Sequence, residues 1–60
     1  MNDELPPLYS AAHNIRTALG DCETALNALD SLDLPVTLLW LDSAIAGLES
    51  ARAKVGKEMP

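Results

Sequence analysis

The chain has one cysteine, one histidine and four basic residues among its 60. Each scarcity excludes a class of protein. One cysteine cannot close a disulfide within the chain, so a domain this short must gain stability elsewhere. The lone His13 stands nine residues before Cys22, about 13 Å along a helix, too far for the two to share a metal or act as a pair. Glu-x-x-His, the motif that helical-bundle metal sites use, does not occur, and neither does a glycine-rich phosphate loop. The residues therefore predict no metal, no cofactor and no enzymatic activity.

Basic charge is scarce in total and in position. Nine acids against four bases give a net charge of −5, which argues against wrapping nucleic acid or lying on an anionic membrane. Between Thr17 and Ala51 there is no lysine or arginine at all, whereas Asp21, Glu23, Asp30, Asp33 and Asp42 fall there. Long apolar runs are missing too. The most apolar window, Leu34 to Leu48, is shorter than the roughly 20 residues a membrane span needs, and it contains Asp42. With no basic lead-in and apolar run at the start, the reading is a cytoplasmic protein.

What the chain does have is hydrophobic periodicity. Leu8, Ala12, Ile15, Leu19, Cys22, Leu26 and Leu29 alternate at four and three residues, and so do Leu38, Leu41, Ile45, Leu48, Arg52, Val55 and Met59. This is the a/d seam of helices packed knobs into holes. Folding the chain back near Asp33 sets Leu29 against Leu38, Leu26 against Leu41, Cys22 against Ile45 and Leu19 against Leu48. At the far end Ile15 meets Arg52, whose stem covers the isoleucine while the guanidinium reaches solvent.

The breaks agree with a hairpin. Pro6 and Pro7 suit the first turn of a helix, where a missing N–H costs nothing. Leu34 precedes Pro35, which pushes it out of the α region, and Asp33 is the natural cap for a second helix starting there. Gly56 reads as the residue after that helix. The expected architecture is all-α, a single domain over residues 1–60 with helix 1 at about 6–32 and helix 2 at about 35–55. The ends, 1–5 and 57–60, read as flexible. A short connection forces the helices antiparallel.

The heptad register adds a second stripe of small residues. Ala11, Ala18 and Ala25 share one g position in helix 1, and Thr37, Ala44 and Ala51 share it in helix 2. If the leucines fill the hairpin, these alanines form a smooth flank that one hairpin cannot bury. The expectation is a homodimer packed through Ala11, Ala18, Ala25, Ala44 and Ala51, a four-helix bundle. Its acidic loop ends favour a head-to-tail arrangement. The other carboxylates, Asp21 among them, read as a solvated face.

Trp40, Leu39 and Val36 stand away from the leucine seam on helix 2. They are partner-binding candidates, with the edge of the dimer as the alternative place for Trp40. The chain reads as a small acidic interaction module that self-associates and offers an apolar helix 2 face to a protein partner. Adaptor, co-chaperone, antitoxin and inhibitor roles all fit. The alternatives are a regulatory nucleic-acid-binding hairpin dimer, which the acidic balance disfavours, and a purely structural homo-oligomer.

Overall fold

The computed structural model describes residues 6–59, so the expected flexible end at 1–5 lies outside the described residues. Two helices, α1 (Pro6–Asp30) and α2 (Leu34–Lys57), pack against each other as a hairpin. Its Cα trace measures 45 × 22 × 12 Å. The shortest dimension is about one helix diameter. The hairpin is therefore a single layer with two broad faces, and it cannot enclose a core between layers.

The turn between the helices follows from three residues. Asp33 N–H donates to Ala28 O at 2.9 Å and Leu32 N–H to Leu29 O at 2.9 Å. With Leu32 at φ 59°, this is a Schellman closure of α1, which satisfies carbonyls that would otherwise be orphaned. On the other side Asp33 caps α2, its carboxylate accepting from Val36 N–H at 3.3 Å, with Pro35 in the first turn. Thr37 Oγ1 donates to Asp33 O at 2.8 Å and reinforces the same turn. At its other end α2 runs on through Gly56 to Lys57. The glycine read as a stop thus lies inside the last turn of α2, and Lys57, the first residue of the expected flexible end at 57–60, is helical.

A left-handed leucine is costly, because its Cβ crowds the following carbonyl by roughly 1–2 kcal/mol. Leu32 is also 79 % exposed, so its side chain has little packing to offset that strain. Leu32→Gly should therefore stabilise the protein by about 0.5–1 kcal/mol. Thermal unfolding followed by circular dichroism checks this; an unchanged or lower midpoint would show that Leu32 makes a contact worth more than its backbone strain.

Candidate interaction surface

Three cross-helix contacts set the register of the hairpin. Ser43 Oγ donates to Asp21 Oδ2 at 2.8 Å. The Lys54 ammonium donates to Ser10 Oγ at 2.7 Å and to Asn14 Oδ1 at 2.6 Å. In this register Ala11 comes near Ala51, Ala18 near Ala44 and Ala25 near Thr37. These small residues are the hairpin's seam: the five alanines are 2–3 % exposed, and Thr37 is buried with them.

This corrects the sequence reading. Ala11, Ala18, Ala25, Ala44 and Ala51 were expected at a contact between two hairpins, but a single hairpin already buries them. They have no surface left for a second copy. The reason is backbone approach. Helix axes separate by 8–10 Å according to the side chains between them, and alanines allow the short end of that range. At Gly47 the helices nearly touch, since a Cβ added there would sit 3.4 Å from Asn14 O and 3.7 Å from Ala18 Cβ. A three-residue turn also favours close axes, which a seam of leucines would force apart.

Displaced from the seam, the leucines collect on one side of it. Leu19 is 62 % exposed, Leu26 60 %, Leu38 61 % and Ile45 53 %. Ile15, Leu29, Leu41, Leu48 and Val55 are exposed as well. Grooves run between these side chains. One, of about 730 Å³, is lined by Ile15, Leu48, Glu49, Arg52, Val55 and Met59. Another, of about 250 Å³, is lined by Cys22, Leu26, Leu29 and Leu41. Arg52 thus belongs to the leucine face, near the open end of the hairpin. Cys22 lies on the same face and is only partly buried.

The opposite side of the seam is polar and internally bonded. It holds Ser10, Asn14, Asp21, Ser43 and Lys54, whose hydrogen bonds cross from one helix to the other. Asp21 is buried here rather than solvated, and its partner hydroxyl accounts for that. Sequence reasoning missed this cluster. The signal was the recurrence of small polar residues four to seven apart beside the alanines, a pattern that reads as solvent-facing until the seam is known. Of the partner-binding candidates, Leu39 is 63 % exposed and Val36 36 %. Trp40 is half-buried on the helical side it shares with Ser43 and Gly47. These three are near one another but form a much smaller patch than the leucine face.

Among the described residues no group of three or more His, Cys, Asp or Glu side chains could hold a metal ion. No helix there is long and apolar enough to cross a membrane. No family model, curated protein or solved structure matches the chain. The surface must therefore be read on its own chemistry.

That chemistry is apolar. Soluble monomers rarely expose apolar patches of more than a few hundred Å². Here nine large aliphatic residues, Ile15, Leu19, Leu26, Leu29, Leu38, Leu41, Ile45, Leu48 and Val55, stand exposed along one face of a 45 × 22 Å outline, an outline of the same order as the ~800 Å² per partner of a standard interface. Such a face stays out of water only by meeting another surface.

Proposed function

We propose that the chain is a non-enzymatic interaction module that self-associates through its leucine face. Two hairpins stack with these faces inward and complete a four-helix bundle. The alanine seam lies within each hairpin, and the leucines lie between hairpins. The observation that carries this reading is the division of apolar residues by size, with alanines buried in the seam and leucines and isoleucines exposed on one face.

A second copy suits the face better than a smaller ligand does. The face is long and nearly flat, and its grooves are gaps between leucines that the leucines of a like surface can enter. Burying one leucine contributes about 1.5–3 kcal/mol, so a face of this size supplies what five buried alanines cannot. In such a dimer Val36, Leu39 and Trp40 stay outside the leucine face, where a different protein can dock. Adaptor, co-chaperone, antitoxin and inhibitor roles all use that arrangement, a symmetric scaffold with a small apolar patch on each copy.

Sedimentation equilibrium at micromolar concentration tests the reading. The expected mass is twice the 6.4 kDa of the chain. A single 6.4 kDa species that keeps its helical circular dichroism would overturn it. A defined complex only with some other protein would replace self-association with hetero-association.

A further inference from the structure

We propose that the two hairpins of this dimer lie antiparallel, with the loop of each beside the open end of the other. Arg52 of one copy then lies toward the start of α2 in the second, which Asp33 caps. This rests on the leucine-face dimer proposed above and adds its orientation. A dyad lying in the interface permits only two arrangements. If it runs along the helices, loop meets loop; if it runs across them, loop meets open end. Both give antiparallel neighbouring helices, so helix packing does not choose between them. Charge does.

The leucine face is lopsided. Its open-end half carries two charged residues, Arg52 and Glu49, among Ile15, Leu48, Val55 and Met59. Its loop half holds only Cys22 and aliphatic side chains in the corresponding groove, with Ala25 and Thr37 at its base. With loop against loop, both Arg52 side chains fall at the same level of the interlayer space, each with Glu49 in the same groove, and two guanidiniums draw together as they leave water. Desolvated like charges are strongly unfavourable. In the antiparallel arrangement they are about 24 Å apart, because Arg52 lies eight residues beyond Ala44 near the helix middle.

The rest of the charge distribution points the same way. Asp21, Glu23, Asp30, Asp33 and Asp42 occupy the loop half, where no base lies between Thr17 and Ala51. Arg16, Arg52, Lys54 and Lys57 all occupy the open half, which also holds Glu49 and Glu58 and is therefore the less negative of the two. Loop against loop concentrates ten carboxylates at one end of the bundle. The antiparallel pair instead puts each acidic half beside the partner's bases, and it brings Arg16 near Glu23 of the second copy. Exposed pairs contribute only about 0–1 kcal/mol each. Their effect is therefore on orientation, with association driven by the leucines. The face thus encodes both adhesion and direction.

Distance measurement between spin labels separates the arrangements. Cys22→Ser removes the native thiol and Ser31→Cys places one label at the exposed turn. The antiparallel dimer predicts a distance of about 40 Å between the two turns, the length of a helix of this size. A distance below about 25 Å would overturn the orientation while leaving the dimer standing. In a second measurement, copies labelled at Ser31→Cys are mixed with copies labelled at Lys57→Cys. The antiparallel arrangement predicts a short mixed distance; a long one would overturn it. Absence of any dipolar signal, together with a monomeric mass by sedimentation, would overturn self-association itself.

Discussion

Ile45→Asp is expected to abolish self-association while leaving the hairpin's own seam intact. Ile45 stands near the middle of α2 on the leucine face, 53 % exposed in the single hairpin. An aspartate there remains solvated in one copy, so the hairpin contacts lose little directly. In the dimer, symmetry buries two such carboxylates in an apolar layer with no base nearby. Each uncompensated buried charge costs several kcal/mol. Together with the lost isoleucine contacts, about 4 kcal/mol or more disappears from association, a weakening of about a thousandfold or greater. Sedimentation should show a monomer at concentrations where the unmodified chain is dimeric.

Because helix order and dimerisation are linked by mass action, the unmodified chain should lose helicity on dilution, whereas the helicity of the monomeric variant should not depend on concentration. Leu39→Asp is the matched control. Leu39 is 63 % exposed on α2 but away from the leucine face, so its replacement should leave the mass unchanged. If Ile45→Asp stays dimeric, the leucine face is not the contact.

Much of the fold is legible in the residues. Pro6 and Pro7 start α1 where expected, and Asp33 with Pro35 sets the turn and caps α2. Helix ends moved by only one to two residues, as frayed termini commonly do. The assignment of faces was not legible by the same means. Leucine and alanine stripes both repeat every seven residues in both helices, so periodicity identifies two candidate seams and cannot rank them. Ranking by hydrophobicity chose the leucines, which is right for whichever contact buries more area. That contact need not be the one within the chain. The deciding quantity is the axis separation that a three-residue turn and Gly47 permit, a distance that no pattern of apolar residues encodes.

The same geometry explains why Asp21 looked solvated. It lies on the side of α1 opposite the leucines, and that side would face water if the leucines filled the hairpin. Once the alanines form the seam, Asp21 moves to its edge and meets Ser43. The polar side thus stitches the helices together, and the leucine side is left open. The two errors have one cause, a rotation of each helix about its own axis toward the smaller residues.

Ala44→Leu tests that rotation at its centre. Ala44 is 3 % exposed and packs where neighbouring Gly47 approaches the backbone of α1 within 3.4 Å of an added Cβ. Three more carbons have no space there, and the helices cannot part locally without losing the Ser43–Asp21 bond and the Lys54 bonds on either side. Overpacking a filled contact costs typically 1–3 kcal/mol, and a seam that meets backbone belongs at the upper end. For a domain of this size that is a fall in midpoint of at least about 10 °C, measured by circular dichroism at matched protein concentration. Ala46→Leu provides the contrast, since Ala46 is exposed two residues away and leucine is nearly as good a helix former. If the leucines filled the hairpin and the alanines lay outside it, Ala44→Leu would be nearly neutral for folding of the single chain. A drop confined to Ala44→Leu therefore locates the seam by energy, independently of the dimer.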